Sequence, residues 1–181
     1  MDLIQPVTAA DHQIGAADAR LVVVEYGDFE CPNCKQAVPA VEMLLKRFEG
    51  RIRFAYRHYP LELVHPHAVQ AAEAAECAAA QGRFWEMHHL LFDHQRALEL
   101  DALRGYAQTI GLDLARYDRE MAGHAHLARV RSDLESGRQC GVRGTPGFFV
   151  DGTRHDVSFG LHSLFDATEA ALAQSHSSPA K

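Results

Sequence analysis

Leu21-Val22-Val23-Val24-Glu25-Tyr26 is followed, after four residues, by Cys31-Pro32-Asn33-Cys34, and this junction decides how the chain folds. The first part is β-branched and almost continuously apolar, the pattern of a central strand covered on both faces. Glu25 is the anomaly inside it. From Pro32 to Phe48 the apolar positions Val38, Val41, Leu44, Leu45 and Phe48 follow helical spacing, and Gly50 supplies the stop. Both cysteines therefore open a helix. Side chains three positions apart on a first helical turn share a face, so the two sulfurs can approach within bonding distance without unwinding the chain. A redox site is the leading reading of the pair.

Outward from the junction, Arg51 to Tyr59 alternates Ile52, Phe54 and Tyr56 with Arg51, Arg53 and Arg57, a second strand that Pro60 ends. Strand, helix and strand with short links make a βαβ unit. From Val64 to Gln139 the alternation disappears, and the pattern predicts helices over 66–80, 84–95, a third capped by Asp101 and ending near Gly111, then 114–121 and 126–138. Strands return with Phe148-Phe149-Val150, a hairpin turn at Asp151-Gly152, and 153–157; a last helix covers 161–173. Without the helical block the order is βαβ then ββα, an α/β fold with a mixed sheet. The expected organisation is 1–63 with 141–176 for the sheet-bearing part, 64–140 as a helical insertion, and 177–181 as a flexible tail.

The composition is that of an ordinary globular chain, with 47% apolar and 23% charged residues among 181. A formal charge of -6 without clustered Lys and Arg argues against nucleic-acid and anionic-membrane partners. No stretch approaches the ~20 uninterrupted apolar residues of a membrane span, and the N-terminus lacks the basic start and apolar core of a leader. The expected compartment is the cytoplasm, or the periplasm where a leader has been cleaved. Four cysteines are too few for a disulfide scaffold, so Cys77 and Cys140 are read as small buried hydrophobes. The twelve histidines include His65 with His67 and the adjacent His88 and His89. Neighbours on a helix point about 100° apart and do not readily share an ion, so solvated or capping roles and no metal site are expected.

Five features then coincide: Cys31-Pro32-Asn33-Cys34-Lys35 followed by Pro39; Gly144-Thr145-Pro146-Gly147-Phe148-Phe149; Glu25 six residues before Cys31; the helical block; and the Asp151-Gly152 hairpin with its closing helix. An interior helix proline costs roughly 3 kcal/mol, so Pro39 beside the cysteines needs a reason beyond chance. In this order the features resemble the DsbA-like thiol-disulfide oxidoreductases of the thioredoxin superfamily. The resemblance implies a thioredoxin-like fold with an inserted all-helical subdomain, and a Thr145-Pro146 bond that is cis and faces the disulfide, where Thr145 pairs an extended substrate. It implies disulfide exchange at Cys31 and Cys34 with protein or glutathione-like thiols and an unidentified redox partner. No cofactor is expected beyond the Cys31-Cys34 disulfide itself, and a monomer is expected.

Cys31, at the amino end of the helix, is the candidate nucleophile, because unpaired N-H groups and the helix dipole favour its thiolate. Cys34, one turn further in, is the resolving thiol. For Glu25 two readings stay open: a desolvated proton acceptor for Cys34, or the ion-pair partner of Arg57. Phe29 is the first choice for a substrate-binding residue, with Trp85, Tyr59, Phe148 and Phe149 as further candidates for an apolar groove. The chain departs from the strongly oxidising relatives in carrying uncharged Asn33 where they have histidine, so an intermediate potential is expected and the direction of exchange is left open. The alternatives are a metal-binding module using the CxxC, a non-catalytic binding module, and a glutathione-dependent kappa-type transferase or isomerase. The last class typically presents a single serine where Cys31 stands.

Overall fold

A computed structural model describes residues 2–158 and 160–175, and the expected tail 177–181 lies outside the described residues. In chain order the elements are β1 (His12–Gly15), β2 (Leu21–Gly27), α1 (Pro32–Arg47), β3 (Ile52–His58), α2 (Ala68–Ala79), α3 (Phe84–Asp93) and α4 (Leu100–Thr109). They continue with α5 (Leu114–Ala122), α6 (Leu127–Gln139), β4 (Gly147–Val150), β5 (Thr153–His155) and α7 (His162–Ser175). The sheet order is β1-β3-β2-β4-β5, which puts the apolar strand at the centre, as its two-sided hydrophobicity demands. β4 runs antiparallel to β2 with Gly147 opposite Tyr26, and β5 antiparallel to β4. Asp151 and Gly152 take φ values of +48° and +78°, the left-handed pair that a two-residue hairpin of this twist requires. The fold is α/β, a five-stranded sheet with seven helices among the described residues.

The chain divides into two compact units. The first holds residues 1–26, 36–57 and 136–181; the second holds 27–35 and 58–135. Residues 27–35 and 58–63, which the sequence grouped with the sheet, thus fall in the unit that carries most of the helices.

In the first unit the sheet buries Val23, Tyr26, Phe54, Tyr56, Phe148 and Phe149, and Leu44 of α1 and Leu164 of α7 are fully covered. Truncating a side chain such as Leu44 to alanine costs about 2–5 kcal/mol. β1 was not expected from the sequence. It is a short edge strand, antiparallel to β3, whose one large apolar residue, Ile14, is itself exposed, so it carries little periodic signal. Gly15 ends it at φ +109°, where a Cβ would stand 2.7 Å from the Ile52 carbonyl oxygen. Only glycine fits there.

In the second unit α2 buries Ala68, Ala71, Ala72, Ala74, Ala75 and Ala78, and these small side chains let α3, α4 and α5 approach it closely. One helix cap differs from expectation. Asp101 lies inside the first turn of α4, whose N-cap is Glu99, whereas Asp113 caps α5 by accepting the Arg116 N-H. An acidic residue favours the first turn as well as the cap, so Asp101 alone could not fix the boundary.

Candidate active site

Cys31 stands just before the first turn of α1 and Cys34 within it. Cys31 is 5% exposed and Cys34 is fully buried, while Pro32 and Asn33 between them are exposed. The turn that delivers them is built on Asp28. Its N-H donates to Cys34 Sγ at 3.4 Å, and its carbonyl accepts the Cys31 N-H at 3.1 Å. Its carboxylate, buried completely, accepts the Glu30 N-H on Oδ1 at 2.8 Å and the Leu61 N-H on Oδ2 at 2.8 Å. His65 Nδ1 lies 2.8 Å from the same Oδ2. One carboxylate therefore holds both the cysteine turn and the 61–65 segment. Such charge-assisted bonds are roughly twice as strong as neutral ones.

Glu30 repeats the device two residues on. Its carboxylate accepts the His67 N-H at 2.7 Å and sits 3.0 Å from His67 Nδ1. Gln95 completes the frame, its side-chain amide donating to the carbonyls of Phe29 and Cys31, each at 2.8 Å. Lys35 Nζ reaches the Asp93 carbonyl at 3.2 Å. None of these supporting residues was singled out as a site residue from sequence. A signal was nevertheless present: Asp28 and Glu30 are two apart, and so are His65 and His67 with which they pair.

Phe29, expected at the substrate surface, is 1% exposed. Its ring packs against Phe92 at 5.0 Å, His88 at 5.6 Å and His58 at 5.9 Å, so it belongs to the core of the second unit. The expected aromatic groove fails for the same reason: Tyr59, Phe148 and Phe149 are buried, and Trp85 is half-buried. His88 is not solvated either; it is buried among Phe29, Phe84, Trp85 and Phe92.

Glu25, Thr145 and Pro146 belong to the first unit. Glu25 is 4% exposed on β2, opposite Phe148 of β4. Thr145 and Pro146 are half-buried and lead directly into β4, and the bond between them is cis. The pairing of Glu25 with Arg57 does not form. Arg57 gives its five N-H groups to both Asp11 carboxylate oxygens, the Gln5 and Pro6 carbonyls, and Tyr26 Oη. Burial acts to lower the Arg57 pKa, and the bonds to Asp11 and Tyr26 outweigh it, holding the guanidinium above its ordinary range. Asp11 lies on the segment leading into β1, far from Arg57 in sequence, which is why Glu25 looked like the nearer partner.

A helix that opens on two cysteines and a sheet strand entered through a cis-proline are together the marks of a thioredoxin-like fold. A family model described as Thioredoxin matches residues 8–167, and the chain belongs to that family. The chain is 47% identical over 174 residues to the sodium/proton antiporter NhaA 1 of Salinispora arenicola, covering 96% of this chain and 26% of that protein. With NhaA 3 of Salinispora tropica it shares 44% over 180 residues, 99% of this chain and 28% of the antiporter. The chain thus spans about a quarter of the length of the curated relatives it matches.

Among solved structures, a thioredoxin-like oxidoreductase from Silicibacter pomeroyi is similar at TM-score 0.80 and 25% identity, over 91% of this chain and 93% of that one. Oxidised BdbD from Bacillus subtilis matches at TM-score 0.81 and 20% identity, over 94% and 95%. Wolbachia pipientis alpha-DsbA1 matches at TM-score 0.81 and 16% identity, over 96% of each chain. The form of the fold is DsbA-like.

Proposed function

We propose that the chain exchanges a Cys31-Cys34 disulfide with thiols of proteins or of small glutathione-like molecules. The cysteine pair is its own redox group, no further cofactor takes part, and one copy of the chain suffices. The observation that carries the reading is the asymmetry of the pair: Cys31 at the mouth of α1, Cys34 sealed and accepting the Asp28 N-H. Unsatisfied N-H groups at a helix start favour a thiolate on the outer sulfur. In the oxidising direction a substrate thiolate attacks Cys31 Sγ, the Cys31-Cys34 bond breaks, and Cys34 leaves as thiolate. A second substrate thiolate then attacks the substrate sulfur of the mixed disulfide and releases Cys31, leaving both cysteines reduced and the substrate oxidised. The reducing direction reverses these steps.

Asn33 is exposed and uncharged, so it supplies no cation to stabilise the Cys31 thiolate. The expected potential lies between that of thioredoxin and that of DsbA, about -270 to -120 mV. No helix among the described residues is long and apolar enough to cross a membrane, and the antiport named for the longer relatives forms no part of this reading. The test is equilibration with glutathione buffers, together with a Cys34→Ser chain that should accumulate mixed disulfide at Cys31. A potential outside that window overturns the intermediate assignment. Failure of Cys31 to form a mixed disulfide with any thiol substrate overturns the activity.

A further inference from the structure

In the second unit, α2, α5 and the turn ahead of α6 bring together three side chains that the disulfide chemistry does not use. Cys77 Sγ, a carboxylate oxygen of Glu120 and a ring nitrogen of His126 all lie within 4.8 Å of one another. We propose that Cys77, Glu120 and His126 form a binding site for a divalent transition metal of the Zn2+ type. Thiolate, imidazole and carboxylate are the donor types this ion takes, and tetrahedral ligands at zinc distances stand about 3.3–3.8 Å apart, so the observed cluster needs only a small closure. The proposal departs from the sequence expectation that no metal site would be found. The cluster was hidden because Cys77 is far in sequence from the other two donors, with no paired-ligand spacing.

The surroundings favour a cation. Glu120 divides its two oxygens, Oε1 accepting from Arg116 Nε at 2.7 Å and Oε2 lying 3.2 Å from His126 Nε2. Oε2 can therefore turn to an ion while Oε1 keeps Arg116 as an outer support. Outer partners of this kind orient a ligand and raise its affinity for metal. Tyr117 is 2% exposed, interacts electrostatically with Cys77, and its Oη has no hydrogen-bond partner among the described residues. A buried hydroxyl of that kind calls for a polar companion such as a metal-bound water.

The carboxylates of Glu120, Glu73 and Glu76 all act on the Cys77 sulfur, and a divalent ion would offset their negative charge. On binding, Cys77 gives its thiol proton to solvent and its sulfur to the metal, His126 gives the Nε2 lone pair, and Glu120 gives Oε2; nothing is oxidised or reduced. Three protein ligands leave a fourth position for water. The ion would staple α2 and α5 to the start of α6 and, binding only the folded chain, add to its stability.

The test uses the full chain with Cys31→Ser and Cys34→Ser, so that the redox sulfurs cannot take the ion, after treatment with chelator. Calorimetric titration with ZnCl2 should give one equivalent, and Co2+ should give a thiolate charge-transfer absorption. His126→Ala and Glu120→Gln, both at partly exposed positions, should each weaken Zn2+ binding by about tenfold or more and abolish the rise in melting temperature that Zn2+ gives the parent. His89→Ala, on the exposed face of α3, should change nothing. The proposal is overturned if Zn2+ shows no saturable binding, if bound Co2+ lacks the thiolate absorption, or if the two ligand variants bind as well as the parent. Because disulfide exchange is measured with Cys31 and Cys34 intact, either result leaves the oxidoreductase reading to its own test.

Discussion

In the first unit, the buried charge centre is a permanent ion pair: Arg57 and Asp11, 2.7 Å apart, with side chains 4% and 6% exposed. In the second, buried carboxylates face imidazoles instead, Asp28 with His65, Glu76 with His58 and Glu73 with His124, and the less buried Glu30 faces His67. Asp133 departs from this pattern, shared between Arg129 and the His58 amide. Arginine stays charged at any pH a protein meets. The sheet unit is thus anchored by a fixed guanidinium-carboxylate pair, and the unit holding Cys31 and Cys34 by carboxylates set against imidazoles.

The sharpest way to break this contrast is Asp11→Asn. It leaves a guanidinium buried without its counter-ion and should cost about 3–5 kcal/mol in urea unfolding, with the exchange rate of the folded protein unchanged. Asp28→Asn is the matching change in the second unit. It keeps the shape but removes the charge that holds Leu61, Glu30 and His65, and a loss of about 2–3 kcal/mol is expected. Unlike Asp11→Asn, it should also shift the Cys31-Cys34 potential, read against glutathione, because Asp28 touches Cys34 through its own amide. An unshifted potential would mean that Asp28 is only a structural anchor. Gln95→Ala removes two neutral bonds to the cysteine turn, and about 1–2 kcal/mol with a slower exchange rate should follow.

The smallest effect is one in which the two units agree. Burial raises the pKa of Tyr26 in the first unit above its ordinary 10.0, against the opposing bonds from Ser136 and Arg57. Burial raises Tyr117 in the second unit as well. A group raised on folding contributes stability that is complete below its unfolded pKa and is lost as pH climbs beyond it. The chain should therefore weaken above about pH 10, with tyrosinate absorbance rising only as it unfolds. Tyr117→Phe should make that alkaline limb shallower.

The sequence made the framework legible because periodicity and punctuation coincided there. Leu21 to Tyr26 could only be a covered strand, Gly50 could stop α1, and Asp151-Gly152 could turn a hairpin. The supporting shell was harder to read because its partners are remote: Asp11 and Arg57, Asp28 and His65, Gln95 and the Phe29 carbonyl meet only after folding. Phe29 misled for a related reason. Its closeness to Cys31 along the chain suggested exposure, but the alternation of a turn between strand and helix points its ring into the α3 aromatics instead. β1 escaped notice because four residues with one exposed isoleucine carry almost no periodic signal.

The chain passes from one unit to the other at 26/27, 35/36, 57/58 and 135/136. Those points fall inside β2, α1, β3 and α6 respectively, never in a loop. Neither unit is therefore a continuous gene segment with linkers at which it could be trimmed. An excised 64–140 would lose Cys31, Cys34 and Asp28 together, while joining 1–63 to 141–176 would keep the cysteines and discard Gln95, His65 and His67. Transplanting this redox centre into another scaffold would require moving three separate stretches of chain at once.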